Sequence, residues 1–328
     1  MATAHDPASC SLLPAPVLLA GPTAVGKSEI ALALAGPIGG EIISVDSMQV
    51  YRGLDIGTAK PSPADRARVP HHLIDVVDVT EPFDAAKFAQ LARKAVAEIQ
   101  SRGRVPILCS GTGLYFKAFL EGLGAAPPAD AVLRAKLEAT PLPELLRELA
   151  ERDPSTYERI DRQNPRRVVR AVEVIRVTGK PFSAQRAEWN RGGTSSTASP
   201  NLRNNVEIVP PAFIGFSRSP ADLCQRIEAR VDEMFQRGLV EETRRLLERG
   251  LAQNKTAMQA IGYRQVVEHL RGERSLAQTI ELVKIRTRQF AKRQMTWFRR
   301  QLSLEWIELK PEDAPEAVAA LVKARLQR

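Results

Sequence analysis

One glycine-rich segment near the amino terminus constrains the fold of this chain more than any other feature. It lies between an apolar run, Val17–Ala20, and a helical pattern from Lys27 to Leu34. Its residues are Gly21, Pro22, Thr23, Ala24, Val25, Gly26, Lys27 and Ser28. Such a turn between a strand and a helix is a phosphate-binding P-loop, whose N–H groups, lysine and serine can hold a diphosphate and Mg²⁺. It predicts a phosphorylated substrate without saying which.

The patterns around the loop predict an α/β fold, a P-loop NTPase-like parallel sheet core with a helical insertion domain. Further strands are expected at Glu41–Val45, Leu73–Val77, Val105–Cys109 and Val206–Phe216. Further helices are expected at Ala85–Arg102, Leu114–Leu120, Leu133–Glu138, Leu142–Arg152 and Arg166–Val177. The Gly/Ser/Thr-rich tract Arg191–Asn205 indicates a flexible connection. We therefore expect a core of residues 16–127 and 206–328, an insertion of residues 128–205, and a loose leader of residues 1–15.

Charge and cysteine usage narrow the choice of partners and compartment. Residues 1–127 carry 11 Lys and Arg against 12 Asp and Glu, whereas residues 128–328 carry 36 against 26. This asymmetry favours a polyanion that contacts one part of the molecule, although arginine as a general solubilising residue would also explain it. Three scattered cysteines predict neither a disulfide framework nor a zinc site. This cysteine usage favours the reducing cytoplasm. With no apolar run of membrane-spanning length, we expect no membrane contact, and we take a monomer as the default.

Two more polar turns follow predicted strands. Asp46 comes directly after Glu41–Val45, where it suits a general base, a metal ligand or the N-cap of a turn. Ser110-Gly111-Thr112-Gly113 follows Val105–Cys109, where nucleotide hydrolases usually carry a metal-binding Asp. Thr112 therefore suits a ligand contact or a helix cap. Because parallel sheets bind ligands at the carboxyl ends of their strands, both turns are candidates for the site.

The longer motifs resemble those of the tRNA dimethylallyltransferases (isopentenyltransferases), in their bacterial form. The matching segments are the P-loop, Ile43–Pro61 (ISVDSMQVYRGLDIGTAKP), Pro70–Asp75 (PHHLID), Ser110–Ala118 (SGTGLYFKA), Asn164–Val174 (NPRRVVRAVEV), Ala260–Gln265 (AIGYRQ) and Lys292–Arg299 (KRQMTWFR). The resemblance covers roughly residues 16–305. Ser110 departs from it, because many members have Gly there.

The resemblance implies that a prenyl group moves from dimethylallyl diphosphate to N6 of adenine 37, on the 3′ side of a tRNA anticodon. The P-loop would hold the diphosphate with Mg²⁺, and Asp46 would be the base beside the adenine amine. Thr112 would hydrogen-bond a diphosphate oxygen. An arginine would also stabilise the leaving group, and Arg226 and Arg230, four residues apart on one helix, are equal candidates.

Basic segments in the second half of the chain suit the anticodon stem-loop of tRNA. Aromatic residues interleave with the cations of the last segment, although Phe290 and Trp297 also have the spacing of core residues. The predicted tRNA-binding residues are Asp46, Ser47, Met48, Gln49, Thr112, Arg134, Arg166, Arg167, Val168, Val169, Arg170, Gln259, Ala260, Ile261, Gly262, Tyr263, Arg264, Lys292, Arg293, Gln294, Trp297 and Arg299.

Three other functions are compatible with a P-loop. An adenylate isopentenyltransferase would prenylate free AMP or ADP, but it needs no basic helix. A small-molecule or polynucleotide kinase would use the loop with ATP. A GTPase-like or RNA-binding regulator would need no transferase chemistry, and the missing strand-end Asp disfavours it.

Overall fold

The computed structural model describes residues 14–185 and 212–327 of the chain. The chain divides into two compact units, Met1–Leu120 with Asn190–Arg328, and Glu121–Trp189. The second unit begins seven residues before the predicted insertion, residues 128–205. Its predicted carboxyl-terminal boundary, the connection Arg191–Asn205, most of the leader and the start of the strand predicted from Val206 lie outside the described residues.

The first unit is built on one parallel sheet of six strands, as far as the described residues go, in the order β3-β2-β4-β1-β5-β6. The strands are β1 (Val17–Ala20), β2 (Gly40–Val45), β3 (His71–His72), β4 (Val105–Ser110), β5 (Ala212–Arg218) and β6 (Glu305–Leu309). β1 lies between β4 and β5, so the P-loop follows an interior strand of the sheet. The predicted fold class is confirmed.

Helices occur in both chain segments of this unit. They are α1 (Lys27–Ile38), α2 (Pro63–Arg68), α3 (Ala85–Ser101), α4 (Gly113–Glu121), α9 (Pro220–Gln236), α10 (Leu239–Glu248), α11 (Tyr263–Leu270), α12 (Leu276–Gln301) and α13 (Pro315–Leu326). α1 packs against α13, and their apolar residues form a core with β1 and β5. This core holds the strand ends that carry the site.

The second unit is helical within residues 121–185. It contains α5 (Ala131–Ala139), α6 (Leu142–Arg152), α7 (Pro154–Arg159) and α8 (Pro165–Thr178). Asn164 caps α8, because its side chain accepts the N–H of Arg167, and Pro165 is the first residue of the helix. The apolar faces of α5, α6 and α8 form a separate core around Leu137, Leu149 and Val172.

The strand predicted at Leu73–Val77 is wrong in its position. Leu73 and Asp75 have left-handed backbone angles (φ 62° and 57°), which interrupt a strand. The Asp75 carboxylate binds Lys60 at 2.5 Å and Arg66 at 2.7 Å. Within the predicted range, Val77 alone forms a β-bridge, which is an isolated parallel bridge with Tyr51.

Candidate active site

Three turns begin side by side at the carboxyl edge of the sheet. Ser110, the last residue of β4, pairs with Ala20 of β1 on one side and with Val45 of β2 on the other. The P-loop, the turn at Asp46 and the turn at Gly111 therefore start from one line. All three are predicted site segments, and the sheet brings them together.

Four side chains fix four consecutive residues of the P-loop. The contacts are Lys27 Nζ to Pro22 O (2.6 Å), Thr23 N to Gln294 Oε1 (2.8 Å), Arg226 Nε to Ala24 O (2.9 Å) and Arg218 Nε to Val25 O (2.8 Å). Three of these partners bind carbonyl oxygens, so those oxygens are already satisfied. α1 starts at Lys27, which leaves the N–H groups of its first turn without intrahelical acceptors. The loop is therefore arranged to receive an anion.

The left-handed backbone of Ala24 (φ 62°) and of Gly26 (φ 108°) makes the sharp bend of the loop possible. This conformation is sterically unfavourable for Ala24, and the hydrogen bond from Arg226 to its carbonyl stabilises it. A strained residue retained in a loop of this kind is typical of a ligand site.

The ammonium group of Lys27 lies deep in this site. Burial lowers the pKa of Lys27 to about 8, and the charge of Arg230 lowers it further, whereas the carboxylate of Asp46 opposes the shift. Lys27 has a backbone oxygen as its hydrogen-bond acceptor, so its charge is available to a phosphate. A bound anion would favour the charged form.

Arg226 and Arg230 are not equivalent. Arg226 is occupied by the Ala24 carbonyl. For Arg230, the described residues provide no hydrogen bond and no carboxylate within 4.0 Å. Burial lowers the pKa of Arg230, while the more distant charges of Glu29 and Asp46 raise it. Arg230 can therefore bind an incoming anion without giving up an existing contact with the described residues.

The two oxygens of the Asp46 carboxylate have different environments. Oδ1 accepts the N–H groups of Met48 (2.7 Å) and Gln49 (3.2 Å), which makes Asp46 the cap of its own turn. Oδ2 faces Gly111, at 3.6 Å from where a Cβ on that residue would lie, and has no hydrogen bond among the described residues. One oxygen thus fixes the side chain, and the other can accept a proton.

Thr112 joins the two turns. Its N–H donates to Val45 O, and its hydroxyl accepts the N–H of Ser47, both at 3.2 Å. The hydroxyl hydrogen remains available to a ligand oxygen. The Thr112 side chain is therefore fixed beside Asp46.

Comparison with known proteins identifies the family of the chain. The family model described as IPP transferase matches residues 49–301. The chain is 44% identical over 298 residues to tRNA dimethylallyltransferase 1 of Trichlorobacter lovleyi (90% of this chain, 93% of the relative). It is 46% identical over 297 residues to the tRNA dimethylallyltransferase of Geobacter metallireducens (89% and 92%). The chain belongs to the IPP transferase family.

Solved structures give the same result. The tRNA isopentenylpyrophosphate transferase of Bacillus halodurans superposes with a TM-score of 0.66 at 36% identity, covering 95% of this chain and 97% of that one. A eukaryotic dimethylallyltransferase described as acting on tRNA gives a TM-score of 0.73 at 26% identity, covering 96% and 80%. The predicted family is confirmed.

In this IPP transferase, the segment after Asp46 is held from within the protein. Gln49 accepts the Ser44 hydroxyl at 2.8 Å and donates to Thr58 O and Ala59 O. Its half-buried side chain is therefore fixed by three hydrogen bonds within the fold, and its predicted contact with tRNA stays a prediction. Ser47 and Met48 remain half-buried beside the site.

The bend predicted to bind tRNA at residues 259–264 has a structural role at its centre. Tyr263 is fully buried, and its hydroxyl donates to Glu242 (2.5 Å) and accepts the N–H of Gly57 (3.0 Å). Glu242 also accepts the N–H groups of Asp55 and Ile56. Ala260 and Gly262 are buried and Ile261 is half-buried, whereas Gln259 and Arg264 are exposed. An RNA contact by the Tyr263 side chain is thereby excluded in this structure.

In the helical unit, only part of the predicted tRNA set is at the surface. Val168 and Val169 are buried in the core of the unit, so their side chains are unavailable. Arg134 and Arg170 both bind the buried Glu173 carboxylate, at 2.5 and 2.7 Å. The side chains of Arg166 and Arg167 are exposed at the start of α8.

The basic helix α12 has an exposed and a packed side. Lys292, Arg293 and Arg299 are exposed, and a shallow depression is lined by Gln289, Lys292, Arg293, Thr296, Trp297, Arg300 and Gln301. Trp297 packs on Gly113, where an added Cβ would overlap the indole, and meets Phe298 edge-on at 5.5 Å between ring centroids. Trp297 is thus both a packing residue and part of the basic surface.

Three residues contribute to the site in roles that the sequence does not indicate. Arg218 fixes the P-loop and binds Asp222 at 2.8 Å, Gln294 reaches the P-loop instead of the surface, and Glu242 supports the segment 55–57. Motif resemblance marked Gln294, although it grouped this residue with the tRNA contacts, whereas Arg218 and Glu242 lie outside the quoted motifs.

Proposed function

We propose that the chain transfers the dimethylallyl group of dimethylallyl diphosphate to the N6 amine of the adenine on the 3′ side of a tRNA anticodon. One observation carries this proposal: a preorganised anion-binding loop follows β1, and a carboxylate with one oxygen free of hydrogen bonds from the described residues follows β2, on the same sheet edge with only β4 between them. Membership of the IPP transferase family supports the chemistry.

The donor half of the proposed site consists of the P-loop and two cations. Loop N–H groups, Lys27 and Arg230 would hold the diphosphate, whereas Arg226 would hold the loop. As the bond between the prenyl carbon and oxygen breaks, the diphosphate leaves with the electron pair. Preorganised donors that strengthen as this charge develops lower the barrier.

The donor set at the P-loop suits Mg²⁺. Ser28, in the first turn of α1, supplies a hard hydroxyl oxygen, and a diphosphate would supply further oxygens. Bound Mg²⁺ would neutralise part of the diphosphate charge.

The acceptor half of the proposed site is the pair of turns after β2 and β4. The N6 lone pair would form the new bond to the prenyl carbon, and the N6 proton would go to Asp46 Oδ2. The amine is a weak nucleophile, because its lone pair is delocalised into the ring, so proton removal contributes strongly. Thr112 would donate its hydroxyl hydrogen to an oxygen of the leaving group.

The RNA half of the proposal rests on exposed cations. Lys292, Arg293 and Arg299 on α12, with Arg166 and Arg167 on α8, would contact phosphates of the anticodon stem-loop. The target adenine would leave its stack to reach Asp46.

We propose a cytoplasmic monomer. Within residues 14–185 and 212–327, none of the helices has the length and apolar character that crossing a bilayer requires.

Incubation with labelled dimethylallyl diphosphate tests the function. The reaction would contain the protein, Mg²⁺ and, as acceptor, tRNA, AMP or both. A parallel reaction would contain labelled ATP as the donor. We expect prenyl label in tRNA and no phosphoryl transfer. Label in AMP would instead indicate an adenylate isopentenyltransferase, and label from ATP in any acceptor would indicate a kinase.

A further inference from the structure

The side-chain amide of Gln294 connects the two halves of the proposed site. Its Oε1 accepts the N–H of Thr23 in the P-loop at 2.8 Å, and its Nε2 donates to the carbonyl oxygen of Gly111 at 2.5 Å. Gln294 is 7% exposed, so water competes little for either bond. One planar group thus spans from the donor loop to the acceptor turn.

The partners of Gln294 are themselves fixed to the reacting groups. The N–H of Gly111 donates to Val45 O, next to Asp46, and Asp46 Oδ2 faces Gly111. On the other side, Thr23 lies between Pro22, which binds Lys27, and Ala24, which binds Arg226. A change in the length of the Gln294 bridge would therefore change the distance between the diphosphate and the base.

We propose that Gln294 is a positioning residue, which holds the prenyl carbon and the adenine N6 at reacting distance without touching either. The inference rests on the proposed prenyl transfer. A neutral amide suits both bonds, because one end must accept and the other must donate. A carboxylate at this position would turn an oxygen towards the Gly111 carbonyl, and an apolar chain would make neither bond.

The substitution Gln294→Met tests the role with little change in volume. The matched control is Gln100→Met, which removes a similar bond from an amide Nε2 to the carbonyl of Pro14, at 2.8 Å, away from the site. We expect Gln294→Met to lower kcat for tRNA prenylation by about 10- to 100-fold, the loss that a misplacement of about 1 Å can cause. KM for both substrates should stay unchanged, and Gln100→Met should retain wild-type kcat.

A second variant separates positioning from a loss of packing. In Gln294→Glu, the protonated acid has one O–H donor and one acceptor, as the amide does, whereas the ionised form lacks the donor. The kcat of this variant relative to wild type should therefore rise as the pH falls. The relative kcat of Gln294→Met should not depend on pH, because methionine does not titrate.

Each outcome has a definite meaning. A reduced kcat for Gln294→Met with a pH-dependent partial recovery in Gln294→Glu supports the positioning role. Wild-type kcat in Gln294→Met, or the same pH-independent defect in both variants, would overturn it while the prenyl transfer itself stood. A wild-type chain that transfers no prenyl group to tRNA would overturn the proposed function, and the positioning role with it.

Discussion

The cations around the P-loop fall into two groups, those that bind the loop backbone and those that can bind an anion. Arg218 and Arg226 belong to the first group, since each donates to a loop carbonyl. Arg230 belongs to the second group, since the described residues offer it neither a hydrogen bond nor an ion pair. Lys27 can change between the two, from the Pro22 carbonyl to a phosphate.

Alanine substitutions should separate the two arginines. Arg230→Ala removes a charge-assisted contact and should weaken binding of dimethylallyl diphosphate by about 10- to 100-fold, with an unchanged melting temperature. Arg226→Ala leaves the Ala24 carbonyl without its partner and should lower the melting temperature. Isothermal titration and thermal unfolding measure the two effects. The reverse pattern would assign the diphosphate contact to Arg226.

The lowered pKa of Lys27 predicts a pH dependence of donor binding. Lys27 is charged below about pH 8 and neutral above it, because burial disfavours the ammonium form. The affinity for dimethylallyl diphosphate should therefore fall as the pH rises through 8. Binding above that pH should take up protons, since the bound anion restores the charge. Titrations over a pH series measure both.

Lys27→Arg serves as the control for this titration. A guanidinium remains charged throughout the same pH range, so the affinity of this variant should vary little with pH. An equal fall of affinity in wild type and Lys27→Arg would attribute the pH dependence to a different group.

At the scale of elements, the segment 54–60 depends on helices that are distant in sequence. The Tyr263 hydroxyl of α11 and the Glu242 carboxylate of α10 bind its backbone N–H groups. The carbonyls of Thr58 and Ala59 in turn hold Gln49, next to the turn of Asp46. The long motif Ile43–Pro61 thus builds a support for the acceptor side of the site.

Tyr263→Phe should destabilise the chain through this support. It removes the donor to the buried Glu242, whose pKa burial already raises, and should cost about 1–3 kcal/mol. Urea unfolding measures the loss. The control is Tyr157→Phe, whose hydroxyl accepts, among the described residues, a 3.4 Å hydrogen bond from the exposed Arg162. Equal stability of Tyr263→Phe and wild type would show that the network contributes little.

The cations of α12 allow a charge-matched test of the RNA surface. Lys292→Ala/Arg293→Ala removes two exposed cations and should reduce the salt dependence of tRNA binding by about 0.7 to 1.8 units of slope. Affinity for dimethylallyl diphosphate should stay unchanged. Binding isotherms at several salt concentrations measure the slope.

The control for this test lies on the same helix. Lys284→Ala/Arg288→Ala removes the same charge, but these cations are paired with Asp232 and Glu228 of α9, at 2.8 and 2.7 Å. The control should keep the slope of wild type and lose thermal stability. If both double variants lose the same slope, net charge and not the exposed surface explains RNA binding.

At the scale of the whole molecule, the sequence predicted what local chemistry determines. The strand Val17–Ala20 and the start of α1 at Lys27 were predicted without error, because the P-loop has a strict local pattern. The position of β3 was predicted wrongly, because the backbone of Leu73 and Asp75 is left-handed and Asp75 pairs with Lys60 and Arg66. Those contacts depend on the folded chain.

The roles of the supporting residues were unpredictable for the same reason. Gln294 binds Thr23 across 271 residues, and Tyr263 binds Gly57 across 206. Motif resemblance marked both residues, but it grouped them with the tRNA contacts. A residue in a family motif can therefore serve the site from inside the protein, and the side-chain partner is what distinguishes the two cases.

The central claim is transfer to the adenine N6 with Asp46 as the base. The most direct measurement is single-turnover prenylation of an anticodon stem-loop by wild type and Asp46→Asn, with mass spectrometry of the product nucleosides. We expect wild type to form N6-prenylated adenosine only 3′ of the anticodon. Asp46→Asn should bind the stem-loop normally but react about 10²- to 10⁴-fold more slowly. Prenyl label elsewhere, or a wild-type rate in Asp46→Asn, would contradict the account.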